Sequence, residues 1–295
     1  MNILVLGISG MLGNAIFTEF LKDQNTFNVF GTIRSNHFKK YFSGSESRVL
    51  ESSAGDLKSV ARCLDLVKPD VVINCIGLVK QLDAANDPVQ AIAINSLFPH
   101  QLNSLCKSCG SRLIHFSTDC VFSGNKGRYV EADTPDCNDL YGRTKLLGEI
   151  LDSNNAVTLR TSIIGHELEG SHSLLNWFLS QEGSVKGFDR AYFSGLPTSE
   201  VARVLKTFIL PNKSLHGIYH LSVDRISKFD LLKIIASTYN QDVKITPSQD
   251  VIIDRSLDSS LFNQASGYKA PNWDVLIREM FDAHLSFNNL IRQQT

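Results

Sequence analysis

The chain opens on Asn2-Ile3-Leu4-Val5-Leu6 and passes at once into Gly7-Ile8-Ser9-Gly10-Met11-Leu12-Gly13. This junction restricts the fold more than any later segment. A short, nearly continuous apolar run is what a strand buried on both faces requires. Past Gly10 the period changes, and Leu12, Ile16, Phe20 and Leu21 fall on one helical face. Glycines spaced by three at a strand-to-helix turn let the backbone turn tightly, approach a pyrophosphate and pack the helix on the sheet. The helix N-terminus then faces the phosphates. The spacing is Gly-x-x-Gly-x-x-Gly, not the more familiar Gly-x-Gly-x-x-Gly, and a plain glycine-rich loop is the alternative. A strand before and a helix after favour a dinucleotide fold, with Gly7, Gly10, Met11, Leu12 and Gly13 as its contacts.

Further along, strand-like runs at 2–6, 28–32, 71–74, 112–117 and 156–160 alternate with helical patterns at 11–22, 57–67, 89–109 and 140–151. That alternation predicts an α/β chain with a doubly wound parallel sheet. Asp87-Pro88 opens the long helix, Asp as N-cap and Pro at the first helical position. After Arg160 the alternation weakens; 171–181, 199–210, 229–239 and 273–287 read as helices, with 217–221 as a short strand. We expect a dinucleotide-binding Rossmann domain over 1–165, to which the chain returns near 195–222, and a smaller substrate domain over 166–295.

At 295 residues, 43% of them apolar, the chain can bury an ample core. Twenty-nine basic against 30 acidic residues, with no long run of either, leave no footprint for nucleic acid or a membrane surface. Apolar stretches such as Val71-Val72-Ile73 are strand-sized, far short of the roughly twenty residues a membrane helix needs. The N-terminus enters a strand with no signal-peptide pattern, so a cytoplasmic location is expected. Cys63, Cys75, Cys106, Cys109, Cys120 and Cys137 lack the spacing of a disulfide framework or zinc site, and no metal is expected. Cys106-Lys107-Ser108-Cys109 is a lone pair near a helix end; small buried hydrophobes are the simpler reading.

The chemistry sits in Ser117-Thr118-Asp119 and Tyr141-Gly142-Arg143-Thr144-Lys145, which assemble a hydroxyl, a phenol and an ammonium. Tyr141 and Lys145, four apart, share a helical face. A cation beside a phenol lowers its pKa toward working pH, as proton transfer at a carbonyl oxygen requires. A bare Tyr-x-x-x-Lys also occurs by chance on surface helices; its weight here comes from the glycine turn upstream.

Together the two motifs resemble the extended short-chain dehydrogenase/reductase family. His115-Phe116-Ser117-Thr118-Asp119-Cys120-Val121-Phe122-Ser123-Gly124, then Glu131, Pro135 and Tyr141 to Glu149, is similar to its dTDP-4-dehydrorhamnose reductase branch. The likeness is fainter through Gly195-Leu196-Pro197-Thr198, 217–222 and Arg255-Ser256-Leu257-Asp258. Two stretches depart from the branch: Cys120 stands where an aromatic is usual, and Cys75 to Gln81 replaces small-residue and tyrosine text. Both lie near the expected substrate and leave the sugar open.

The resemblance implies reduction of a keto group on a nucleotide-diphosphate deoxysugar, with a homodimer admissible. Tyr141 would protonate the developing alkoxide, Thr118 would hydrogen-bond the same oxygen, and Lys145 would hold the nicotinamide ribose and depress the tyrosine pKa. Ser117 is placed on the opposite strand face and assigned to the cofactor. Asp56 and Leu57 resemble the adenine-contacting turn, although Asp56 also suits a helix cap. Cys75, Ile76 and Gly77 would pass along the cofactor, and Ser162 would lie beside the nicotinamide.

At the end of the second strand stands Arg34, where an acid would hold the ribose hydroxyls of NAD, with His37, Lys39 and Lys40 close behind. A ribose phosphate would meet positive charge there, so NADP (as NADPH) is expected and NAD is the alternative. An ordinary solvated basic loop is the competing reading. For the substrate, Lys80, Thr118, Asp119 and Arg255 are the candidates, with Lys186, Arg190 and Arg225 as further cations for a diphosphate. Trp177 reads as a core anchor rather than a base-stacking platform. Related dehydratases place Glu directly after Thr-Asp; Cys120 at that position weakens a dehydratase or epimerase reading. Regulatory subunits that bind NADP without turnover are the third alternative.

Overall fold

The structure is a computed structural model that describes residues 1–79 and 86–292, so Lys80 lies outside the described residues. Its first half builds β1 (Asn2–Leu6), α1 (Met11–Leu21), β2 (Asn28–Ile33), β3 (Val49–Glu51), α2 (Leu57–Val67) and β4 (Val71–Asn74). Then come α3 (Pro88–Ala91), α4 (Phe98–Cys109), β5 (Arg112–Thr118), α5 (Leu140–Leu147) and β6 (Ala156–Thr161). The second half adds β7 (Ile163–Ile164), α6 (Leu174–Leu179), β8 (Ser184–Phe188), β9 (Ala191–Phe193), β10 (Leu196–Pro197) and α7 (Thr198–Val204). It closes with β11 (Gly217–His220), β12 (Ile226–Ser227), α8 (Lys228–Tyr239), β13 (Lys244–Ser248), β14 (Ile253–Asp254), α9 (Ser260–Ser266) and α10 (Trp273–Arg292).

Seven strands form one parallel sheet in the order β11-β6-β5-β4-β1-β2-β3. The order reverses beside β1, the place where open α/β sheets bind ligands. Alternation along each strand feeds two cores. Ile3, Val5, Val71 and Ile73 pack with α1, α7 and α10 on one face; Leu4, Leu6 and Val72 pack with α2 and α4 on the other. Phe17, Phe20 and Phe98 are fully buried, and each such side chain contributes about 1.5–3 kcal/mol. The sheet is therefore dry on both faces, as the continuous apolar strands require.

Local chemistry sets the helix ends. Asp56 caps α2 by accepting from the Lys58 and Ser59 amides at 3.1 and 3.2 Å, and Asp87 caps α3, with Pro88 at its start. Three expectations change. The long helix from Pro88 to Cys109 is interrupted by a π-helical segment, Ile92–Leu97. Helix α5 stops at Leu147 rather than 151, with Gly148 as its C-cap, where a Cβ would lie 2.0 Å from the Asn95 carbonyl oxygen. Trp177 is 36% exposed, not a core anchor: on the short α6 it is Leu175 and Phe178 that turn inward.

Beyond the main sheet, β12-β9-β14 form a small three-stranded sheet and β13 pairs with β8. Tyr129 bridges Leu257, and with Val121 and Phe122 these form a separate apolar cluster. That cluster seats the segment carrying Arg255 against the end of β5.

Candidate active site

The glycine turn is built for a close ligand approach. Gly7 sits at φ +84 and donates its amide to Thr32 Oγ1 at 3.1 Å. A Cβ on Gly13 would lie 2.2 Å from the Gly7 carbonyl oxygen, so only glycine lets α1 pack on the turn. Gly10, exposed, is the N-cap of α1, and no side chain caps that helix. The first helical amides, including those of Met11 and Leu12, are left to an outside acceptor, and the helix dipole favours an anion there.

Arg34 projects into solvent at the end of β2, with no hydrogen bond or ion pair among the described residues. His37 and Lys40, by contrast, engage Glu169. Asp56 spends its carboxylate on capping α2, while Leu57 packs against the second core. Beyond β4, Asn74 Oδ1 accepts from the Ile76 amide at 3.1 Å, and Cys75 donates its amide to Leu6 at 3.1 Å. Asn95 brackets the next step: its Oδ1 accepts from the Leu78 amide at 2.9 Å and its Nδ2 donates to the Leu78 carbonyl at 3.1 Å. Gly77 is thereby held with its Cα side facing Lys145; a Cβ there would be 3.8 Å from Nζ.

At the end of β5, Ser117 and Thr118 turn to opposite faces. Ser117 donates its hydroxyl to Glu149 Oε1 at 2.6 Å. Thr118 Oγ1 accepts from the Cys120 amide at 3.1 Å and donates to Asp119 Oδ1 at 3.2 Å. Tyr141, in the first turn of α5, reaches the Thr118 side chain. Lys145, one turn later and 6% exposed, donates to the Phe116 carbonyl at 2.7 Å. Thr118, Tyr141 and Lys145 thus converge at the carboxyl end of β5.

The electrostatics of Tyr141 and Lys145 are set first by burial. Burial pushes the Tyr141 phenol well above the usual tyrosine range, with Cys120 adding to it and the Thr118 hydrogen bond opposing. Lys145 stands one turn further along α5. The lysine is spent on Phe116, and its own pKa is drawn down to about 8 by burial, against Glu149 and Cys75. The protein holds Tyr141 firmly protonated, in the form that donates a proton.

Of the substrate-side cations, Arg255 is the one brought to this point. Its Nε donates to the Phe122 carbonyl at 2.8 Å and its Nη1 reaches Cys120 Sγ at 3.8 Å. Burial raises the Asp119 carboxyl, and Arg255 opposes that shift. Lys186 is tied to Asp250 at 2.6 Å, Arg225 to Asp254, and Arg190 is exposed. Ser162 lies between β6 and β7, its carbonyl accepting from the Leu196 amide at 2.9 Å.

The model for RmlD substrate binding domain proteins matches residues 1–285. The chain belongs to that family. Among relatives of this RmlD chain is the zebrafish (Danio rerio) methionine adenosyltransferase 2 subunit beta, 30% identical over 251 residues, 81% of this chain and 74% of that protein. The fold is shared with dTDP-4-dehydrorhamnose reductase from Bacillus anthracis, solved in complex with NADP, at TM-score 0.77 and 20% identity, over 95% of this chain and 98% of that one. It is shared equally with dTDP-glucose 4,6-dehydratase from the same organism, solved in complex with NAD, at TM-score 0.77 and 12% identity over the whole of both chains. The protein therefore carries the Rossmann-like α/β fold of the extended short-chain dehydrogenases/reductases.

Two residues of this RmlD-family site escaped sequence reasoning. Asn95, buried in the π segment, orders Leu78 and reaches Thr144 at 3.4 Å; π segments cluster at functional sites, but no sequence period announces one. Lys228 opens α8 beside Asp119, Cys120 and Arg255, and burial lowers its pKa. The signal available was its place in Ser227-Lys228-Phe229-Asp230, where Ser227 caps the helix and so fixes the lysine's position in its first turn.

Proposed function

We propose that the protein reduces the keto group of a nucleotide-diphosphate deoxysugar with NADPH. The observation that carries this reading is the convergence of Thr118, Tyr141 and Lys145 at the end of β5, beside Gly77, with the Gly7 turn packed against Ile76 next to it. The glycine turn fits a dinucleotide: its backbone is open at Gly10, closed only at Gly7 and Gly13, and aimed at an anion. Bound there, the cofactor supplies hydride to the substrate carbonyl carbon.

This chain's own residues do the rest. Gly7, Gly10, Met11, Leu12 and Gly13 hold the pyrophosphate, and Arg34 meets the ribose phosphate. Leu57, Cys75, Ile76, Gly77 and Ser162 line the cofactor path, with Asp56 holding the start of α2 beside it; Ser117, its hydroxyl held by Glu149, offers only its backbone there. Tyr141 Oη gives its proton to the carbonyl oxygen, and Thr118 Oγ1 donates a hydrogen bond to the same atom. Lys145 Nζ, freed from the Phe116 carbonyl, binds the nicotinamide ribose. Its charge then lowers the cost of the phenolate left on Tyr141. Arg255 and Asp119 orient the sugar, with the guanidinium toward the diphosphate.

A second reading, an NADP-binding regulatory subunit, is favoured by the 30% identity to methionine adenosyltransferase 2 subunit beta. Following NADPH absorbance with a panel of 4-keto-6-deoxy nucleotide sugars separates the two. Oxidation coupled to a reduced sugar product supports the reductase; tight NADPH binding with no oxidation across the panel supports the regulatory reading.

A further inference from the structure

Three donors from the segment after β2 converge on a single carboxylate oxygen. His37 Nε2 lies 2.7 Å from Glu169 Oε1, Lys40 Nζ 2.9 Å from it, and the Tyr41 hydroxyl donates to it at 2.8 Å. Two cationic or ionisable groups and a hydroxyl on one oxygen is the donor set that one oxygen of a phosphate monoester uses. Glu169 comes from far along the chain, in the 165–173 stretch beyond β7.

A second observation puts this segment beside α1, the helix that the glycine turn opens. A half-enclosed cavity of about 180 Å³ is lined by Met11 and Asn14 of α1, by Tyr41, and by His166, Glu167 and Leu168. The stretch that ends in Glu169 thus lies along α1, whose first residue Met11 follows the glycine turn, and through Tyr41 it meets the segment that follows Arg34.

We infer that His37, Lys40 and Tyr41 form a phosphate-monoester site that Glu169 occupies as a resident anion, so that Glu169 limits the preference for a 2′-phosphorylated dinucleotide. The inference rests on the NADPH reading above. Binding such a cofactor requires the donors to leave the carboxylate, and any carboxylate that stays nearby repels the incoming phosphate. Both effects act on NADPH and neither acts on NADH. The contacts are partly exposed, with side chains of His37, Lys40 and Glu169 at 55%, 52% and 36%. Their competition is accordingly modest, about two- to tenfold in affinity.

Calorimetric titration of NADPH, NADH and inorganic phosphate into the full-length wild type, Glu169→Gln and Glu169→Gln/Lys40→Ala tests this. Glutamine keeps an acceptor and the size of the side chain while removing the charge. NADPH affinity should rise about two- to tenfold in Glu169→Gln with NADH unchanged, and the gain should vanish with Lys40→Ala. A wild type that prefers NADPH, with no gain in Glu169→Gln, overturns this inference and leaves the cofactor reading standing. An equal gain for NADH, or a gain for inorganic phosphate alone, overturns it as well. A wild type that prefers NADH overturns the cofactor reading itself.

Discussion

Ser117 donates its hydroxyl to Glu149 Oε1 at 2.6 Å, one residue before Thr118. The same carboxylate takes Arg160 Nε at 2.8 Å and Nη2 at 2.7 Å, and Arg160 Nη1 meets His220 Nε2 at 3.3 Å. These buried groups tie β5, the end of α5, β6 and β11 together directly behind the proposed catalytic hydroxyl. Such a paired, hydrogen-bonded ion pair is tolerated in a dry interior; half of one is not.

Glu149→Gln should therefore destabilise the protein by about 3–5 kcal/mol, because it strands the Arg160 guanidinium. Replacing both residues, as Glu149→Leu with Arg160→Met, should recover most of that loss. Urea denaturation of the three variants checks it, and a double variant no more stable than the single one would show that the pair does more than neutralise itself.

Two neutral histidines set the acid response: His220 is buried, and His166 is half-buried and stacked on His284 at 3.5 Å. Burial draws His166 down to about 3 and His220 to about 4, from an ordinary value of 6.5. The unfolded chain binds these protons first as pH falls, so the contribution is complete above about 6.5 and shrinks below it. Each group should cost roughly 1.4 kcal/mol per pH unit in that range. His166→Phe should reduce the slope of stability against pH between 6.5 and 5 by about one proton. Urea midpoints measured across that interval would reveal an unchanged slope, which contradicts this account.

Much of this was legible from residues alone, and the failures have physical causes. Gly7 and Gly13 announced the turn because a positive φ and a close backbone approach there leave no other residue type, and Thr118, Tyr141 and Lys145 marked the candidate site because strand and helix periods bring them to one end of β5. Strands such as β3, β7 and β10 are two or three residues long, too short to display a period. The π segment at Ile92–Leu97 keeps a helical composition and hides Asn95's role. The hydrogen bond from the Lys145 ammonium to the Phe116 carbonyl joins α5 to β5 across 29 residues, a contact no local period displays. Glu169 meeting Lys40 depends on long-range packing that no local pattern encodes.

Arg34 is exposed and has no competing partner among the described residues, so its removal should read out on the cofactor alone. Arg34→Ala should weaken NADPH far more than NADH. Loss of one charge-assisted contact of about 1.5–3 kcal/mol corresponds to a roughly ten- to hundredfold drop in preference. Equal weakening of both cofactors in calorimetric titration would place Arg34 in an ordinary solvated loop.

The central claim is that Tyr141 Oη delivers the proton in a carbonyl reduction. Its direct test is Tyr141→Phe, assayed by NADPH oxidation with whichever 4-keto-6-deoxy nucleotide sugar the wild type turns over, alongside NADPH binding by calorimetry. The account predicts cofactor affinity near wild type and turnover lower by about two or more orders of magnitude. Turnover close to wild type in that variant would contradict it.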